Sequence, residues 1–255
     1  MTPSPRLLLP LLFVSAAALF GQPSAPADNT TVLTINGEPV AADEYTLVMN
    51  RQVGPVYSLF KQTRNLDDHV GYWSPASGPD GPLAKLRELT LAELVRIKIC
   101  QSQAKARGLV KNMDFASFRT AYEQENARRL AAKARGEVVY GPPQYRLTSY
   151  YYILLGDLAY KLELAMAKEL EPTVTAGAIE TLLASHEEEF KPLSPGDARR
   201  RAVVVLSTRA TRQKLQGLRA SAVTDVRDDL LARLFPRSDD PFTNLAPVEK
   251  TPTTR

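Results

Sequence analysis

The chain of 255 residues is 44% hydrophobic, carries a formal net charge of +4 and contains one cysteine. It is long enough to bury the core of one domain, or of two small ones, without disulfide bonds. The small positive charge permits weak attraction to acidic lipids or polymers. No basic stripe with interleaved aromatic residues is present, so the sequence does not indicate a nucleic-acid partner.

Residues 1–27 have the order of a secretory signal peptide. Arg6 precedes an apolar run from Leu7 to Phe20, and small residues follow. This run is shorter than the roughly 20 apolar residues of a membrane-spanning helix, and no later segment is apolar enough to span. We predict an exported chain without a stable membrane span, with an uncleaved anchor as the alternative. Since Cys100 is the only cysteine, a bacterial periplasm or cell envelope is the predicted location.

The folded part opens with a short strand and a long helix. Residues 32–35 form an apolar strand, and the Asn36-Gly37 dipeptide is typical of a turn. The helix that follows has a mostly apolar face, and the Gly54-Pro55 dipeptide predicts a kink within it. A lone strand has no partner of its own, so we expect a distant segment to pair with it.

A loop rich in Gly, Pro and Asp comes next and contains His69 and the only tryptophan, Trp73. Two aspartates precede His69, but no further side chains stand at the spacing of metal ligands. The sequence therefore predicts a solvated loop, no metal and no other cofactor. No nucleotide-binding loop, catalytic triad or zinc-protease motif is found. We assign no catalytic residue and favour a protein that is not an enzyme.

Long helices dominate the rest of the chain. Helical periodicity and capping signals predict helices over 83–106, 115–134, 144–170 and 176–190, the last capped by Thr175. The third of these is apolar around much of its circumference and should lie in the core. Residues 138–140 are a candidate short strand.

The segment DARRRAVVVLS after Pro195 favours a strand, because three consecutive valines suit a pleated surface. We predict that residues 202–206 pair with the opening strand and form a minimal two-stranded sheet. Short helices follow up to residue 235, and the tail over 236–255 has too little apolar content to fold, which predicts disorder. The predicted fold class is mainly α.

Two segments carry a resemblance to a known family. The opening VLTINGEPVAADEY resembles the "vNGxxItxxEf" start of SurA/PrsA-type extracytoplasmic foldases and chaperones. The segment LEPTVTAGAIETLLASHEEEFKP is similar to the helix that these proteins place before a prolyl isomerase (parvulin) domain. Thr175, Ile179 and Phe190 keep that pattern, whereas Leu183 stands near a usual Tyr.

The resemblance implies a SurA N-terminal-like helical chaperone domain over 31–206. Residues 207–235 would then be C-terminal helices and a candidate parvulin remnant. No His follows Phe190, and valines stand where the first parvulin strand often has His. The implied function is an extracytoplasmic chaperone that binds unfolded or partly folded polypeptides without catalysis. The alternatives are a peptidyl-prolyl isomerase with a degenerate catalytic domain and a structural envelope interaction protein.

Client binding of this kind requires exposed apolar surface, and Tyr and Met suit it because they adapt in shape. The candidate client-binding residues are Tyr45, Met49, Phe60, Tyr72, Trp73, Tyr150, Tyr151 and Tyr152. Ordinary core packing is the alternative for each of them, because apolar stripes on helices usually face a core. Trp73, in a polar loop, is the strongest candidate for an exposed contact.

Overall fold

The computed structural model describes residues 29–112 and 114–236. The predicted signal peptide lies outside the described residues, and so does the predicted tail apart from residue 236. The described part contains three strands and eight α-helices: β1 (Thr31–Ile35), β2 (Glu38–Ala41), α1 (Ala42–Arg64), α2 (Pro82–Ala106), α3 (Phe115–Ala134), α4 (Leu147–Leu170), α5 (Ala176–Ser185), α6 (Glu187–Phe190), α7 (Pro195–Ala220), β3 (Thr224–Val226) and α8 (Asp228–Leu231). The mainly α class with a minimal sheet is confirmed.

The small sheet joins the two ends of the described chain. Strand β1 lies between β2 and β3 and is antiparallel to both. The link to β2 is the Asn36-Gly37 turn, in which both residues have positive φ, 50° and 82°, as tight hairpins require. Asn36 also binds Val223, the residue before β3. Its main-chain N–H donates to the Val223 carbonyl and its Oδ1 accepts from the Val223 N–H, each at 2.8 Å.

The prediction that residues 202–206 form the distant strand is wrong. They lie within the continuous helix α7, whose N-cap Ser194 accepts a hydrogen bond from the main chain of Asp197. Valine favours strands locally, but burial in this segment recurs at helical spacing. The buried residues of α7 are Ala198, Ala202, Ser207 and Thr211. Packing of this face overrides the local preference, so the segment does not supply the first strand of a parvulin sheet.

The actual distant partner of β1 is β3, which pairs Ile35 with Thr224 and Leu33 with Val226. Strand β2 was not predicted, although an Asn-Gly dipeptide after an apolar strand is a strong hairpin signal. Residues 138–140 do not form a strand; Val138 and Tyr140 are largely exposed.

The boundary expected at residue 206 lies in the middle of α7. The described residues after it are the second half of α7, β3 and α8, and they pack on the same core as the N-terminal elements. Leu231 is buried in the main apolar cluster, and Arg87 on α2 donates from Nη2 to the Leu231 carbonyl at 3.0 Å.

Buried apolar side chains form three clusters. The main cluster joins the sheet, α1, α2, the start of α4 and α8. The second lies between the end of α2 and the middle of α4 and includes the buried Cys100. The third joins α5 and α6 to the start of α7. Within the described residues, no helix is both long and apolar enough to cross a bilayer.

Candidate functional site

The structure separates the eight predicted client-binding residues by exposure. Five are at most 4% exposed: Tyr45, Met49, Phe60, Tyr72 and Tyr151. Three are half-buried: Trp73, Tyr150 and Tyr152. Most of these side chains therefore pack inside the protein. The three half-buried residues are the ones with part of their surface accessible.

The loop between α1 and α2 forms a closed aromatic cluster with α1, consisting of Tyr57, Phe60, Tyr72 and Trp73. The ring centroids of Tyr57 and Tyr72 are 4.8 Å apart, and Trp73 lies 5.2 Å from Tyr57 and 4.8 Å from Tyr72. Rings at these separations interact favourably in tilted and edge-to-face arrangements. Trp73 is thus a half-buried packing residue that holds the loop on α1.

An open apolar groove of about 230 Å³ lies between α3 and α4, with the loop after α2 at one end. Its apolar lining consists of Leu109, Val110, Phe118, Ala121, Tyr151, Leu154 and Leu158. Its polar lining consists of Gln101, Asn112, Ser117, Asp157 and Lys161. Asp157 and Lys161 form an ion pair of 2.7 Å at the solvent-exposed side. The groove therefore combines apolar walls with a polar edge.

Helix spacing and a strong cap position the walls. Tyr151, Leu154 and Leu158 recur at intervals of three and four and so share one face of α4. Across from them, Asp114 begins α3 by accepting hydrogen bonds of 2.7 Å from the main chain and the hydroxyl of Ser117. These bonds lower the pKa of Asp114. The cap places Phe118 against Tyr151, with ring centroids 4.9 Å apart.

Tyr151 connects the groove to a buried charged network. Its hydroxyl donates to Glu44 Oε1 at 2.8 Å, and Lys98 Nζ donates to Glu44 Oε2 at 2.9 Å. The side chains of Glu44 and Lys98 are only 1% and 6% exposed. Burial, assisted by the negative charge of Glu44, raises the pKa of Tyr151 well above its usual value. The phenol therefore stays protonated and keeps donating its hydrogen bond to Glu44. This bond holds the ring of Tyr151 in place in the wall of the groove.

A second, more polar cavity of about 100 Å³ adjoins the groove; we call it the polar cavity. Its lining consists of Glu38, Pro39, Lys98, Gln101, Ser102, Lys105, Asn112 and Asp114. Gln101 and Asn112 line both spaces. These two side chains therefore lie between the groove and the polar cavity.

The sequence reasoning missed most of the groove. Leu154 and Leu158 belong to the helix that was expected to lie in the core because it is apolar around much of its circumference, so periodicity could not show that Leu154 is only half-buried. The one local signal was the Leu109-Val110 pair, which places two apolar residues directly after a helix-ending Gly108 in a loop. Apolar residues in a short loop indicate either a covered core or an open contact surface.

The groove suits side chains in size. It is larger than the roughly 150 Å³ cavity that holds a benzene molecule and smaller than the roughly 300 Å³ at which small-molecule pockets begin. Such a space takes one or two apolar side chains of a longer ligand. Within the described ranges, no group of three or more His, Cys, Asp or Glu side chains is placed to hold a metal ion. Comparison of the chain with family models, curated proteins and solved structures finds no match.

Proposed function

We propose that this protein is a chaperone of the bacterial cell envelope that binds unfolded or partly folded exported polypeptides without catalysing a reaction on them. The observation that carries the proposal is the apolar groove between α3 and α4, which no described segment of the chain covers. The signal-like leader and the resemblance of the opening hairpin and helix to extracytoplasmic foldases support the same function from the sequence.

The expected binding is weak for each contact and tolerant of sequence. Burial of one Leu or Phe side chain contributes about 1.5–3 kcal/mol, which by itself corresponds to dissociation constants of roughly 5–80 mM. Phe118 and Leu154 are half-buried and can be covered by a client without unfolding of the protein. Apolar contacts require no specific arrangement of polar groups in the client. The groove can therefore bind many different sequences, as a chaperone must.

Aggregation assays with several unrelated unfolded proteins test this function. The wild-type protein should slow the aggregation of each, and Leu154→Gln should lose most of that effect. The matched control is Ile153→Gln, since Ile153 is the adjacent residue on α4, is 49% exposed and does not line the groove. Equal loss in both variants, or no suppression by the wild type, would reject the groove as the binding site.

Two further outcomes separate the alternatives. Turnover above background in a proline-limited peptide isomerisation assay would overturn the non-catalytic part of the proposal and favour a peptidyl-prolyl isomerase. Stable binding to one purified envelope protein, with no effect on the unrelated unfolded clients, would favour a structural interaction protein instead.

A further inference from the structure

A buried side-chain amide lies where the groove meets the polar cavity. Gln101 is only 7% exposed, and it lines both spaces. No described residue forms a hydrogen bond with its carboxamide. Its neighbours on α2 have their own partners, because Lys98 binds Glu44 and the Ser102 hydroxyl donates to the Ile99 carbonyl. The side chain is mostly buried, but its carboxamide still reaches the accessible space, so its two donors and its acceptor are open to a ligand there.

A second carboxamide, that of Asn112, stands beside the same opening. Asn112 is exposed in the loop before α3 and also lines both spaces. Among the described residues, none forms a hydrogen bond with its side chain. The two carboxamide side chains thus lie between the apolar groove and the polar cavity.

We propose that Gln101 and Asn112 bind the main chain of an extended peptide, while the groove takes an apolar side chain of that peptide. Each carboxamide can donate to a carbonyl and accept from an N–H, which are the two groups that every main-chain amide presents. Successive side chains of an extended chain point to opposite sides. One apolar side chain can therefore enter the groove while its neighbour points away.

This inference rests on the proposed function and names its substrate class as unfolded, extended segments. An amphipathic helix satisfies the apolar groove equally well, but its main-chain groups are already paired within the helix. It would offer the amide of Gln101 no main-chain partner, whereas an extended peptide offers both a donor and an acceptor. A small apolar molecule would leave the amide unpaired for the same reason.

Fluorescence anisotropy with matched peptides tests the inference. The ligand is an unfolded Ser/Gly decapeptide with two Phe residues separated by one Ser, and its partner is the same peptide methylated on the two central main-chain nitrogens. We expect methylation to weaken binding to the wild type about fivefold, the effect of one lost hydrogen bond. With Gln101→Met, the unmethylated peptide should bind about fivefold more weakly, and methylation should weaken binding less than it does for the wild type, because Met keeps the length of the side chain without its amide and only Asn112 can still bind the main chain.

Two further variants keep the result decisive. Asn112→Ala alters an exposed loop residue, should fold normally and should weaken the unmethylated peptide about threefold. Gln124→Met changes an exposed glutamine of α3 outside the groove and should bind both peptides like the wild type. Thermal melts establish whether each variant is folded. If Gln101→Met does not fold, the binding data for Asn112→Ala decide whether the carboxamides bind the peptide main chain.

The outcomes distinguish the two proposals. Equal binding of the methylated and unmethylated peptides by the wild type would overturn the main-chain role of Gln101 and Asn112 and leave the chaperone proposal standing. Tighter binding of a helical peptide of similar apolar content would do the same. Failure of the wild type to bind the unmethylated peptide at millimolar concentration would overturn the chaperone proposal and this inference with it.

Discussion

The closed aromatic cluster and the open groove use the same kinds of residues to opposite effect. In the cluster, the loop after α1 folds back on the helix and buries Tyr72 against Tyr57. Polar contacts hold that loop, since Lys61 pairs with Asp67 at 2.8 Å and Arg64 donates to the Asp80 carbonyl at 2.8 Å. Aromatic residues on a helix therefore become core wherever a connecting segment is held over them.

The groove lacks such a cover among the described residues. The loop after α2 reaches only one end of it, so Phe118 and Leu154 stay half-exposed. Its walls are instead anchored from beneath, through the bonds of Tyr151 to Glu44 and of Glu44 to Lys98. The open surface is thus supported by the core beneath it.

The largest expected effect comes from breaking that anchor. Lys98→Met leaves the buried Glu44 carboxylate without its cation, and we expect a loss of about 3–5 kcal/mol in the free energy of unfolding, measured by urea denaturation. The exposed pair is the control: Lys61→Met should cost at most about 1 kcal/mol. The triple variant Glu44→Leu, Lys98→Met and Tyr151→Phe, which also removes the hydroxyl that loses its acceptor, should recover most of the loss. A loss under about 1 kcal/mol for Lys98→Met alone would show that the network does not support the groove.

The next test separates stability from binding. Phe60→Ala removes a buried ring from the closed cluster and should cost about 3–5 kcal/mol of stability, while the folded fraction binds peptide with unchanged affinity. Leu154→Ala should cost about 1–2 kcal/mol, because this side chain is half-buried, and should weaken peptide binding several-fold. Denaturation curves and anisotropy on the same samples measure both quantities. If both variants changed the affinity for peptide to a similar extent, the groove would not be distinguished from the closed cluster as the binding region.

Two of the tyrosines with buried hydroxyls, Tyr72 and Tyr151, should respond in opposite directions to loss of the hydroxyl. Tyr72 has no hydrogen-bond partner for its hydroxyl among the described residues, so Tyr72→Phe should be neutral or stabilising by up to about 1 kcal/mol. Tyr151→Phe removes a bond to a charged carboxylate and should cost about 1.5–3 kcal/mol. Urea denaturation of both variants provides the measurement. A destabilised Tyr72→Phe would indicate that the closed cluster contains a partner for that hydroxyl.

The smallest effect is a pH dependence on the outer side of α3. Hydrogen bonds from Arg128 and Arg129 lower the pKa of Glu125 to about 2, and Arg129 also donates to the carbonyls of Tyr140 and Pro142. A lowered folded-state pKa means that the carboxylate stabilises the fold above about pH 4.5, and that this stability is lost as the pH falls toward 2.

Glu125→Gln should therefore flatten the loss of stability between about pH 4.5 and 2 and cost less than about 1 kcal/mol at neutral pH, since the group is partly exposed. Urea denaturation as a function of pH measures this change. Peptide affinity should be unaffected, because Glu125 does not line the groove. If the variant lost stability between pH 4.5 and 2 as steeply as the wild type, the interaction of Glu125 with Arg128 and Arg129 would not be the cause of this pH dependence.

Local signals in the sequence determined most of the helices and the first turn. The predicted helix over 115–134 matches α3, and Thr175 caps α5 as expected by accepting a hydrogen bond from the main chain of Ala178 at 3.2 Å. The Asn36-Gly37 turn was also visible. Caps, turns and helical periodicity depend on residues within a few positions of each other, which is why a sequence alone reports them.

Only the tertiary structure decided the strand pairing and the exposure of the apolar residues. The valines at 203–205 have the preferences of a strand, yet they lie in helix α7, which packs against α4 and α5. The three residues of β3 pair with β1 instead. Likewise, nothing in the sequence distinguishes the buried Tyr72 from the half-exposed Phe118. Both outcomes depend on contacts between residues far apart in the chain, and the free energy of those contacts exceeds the local preferences that a sequence pattern expresses.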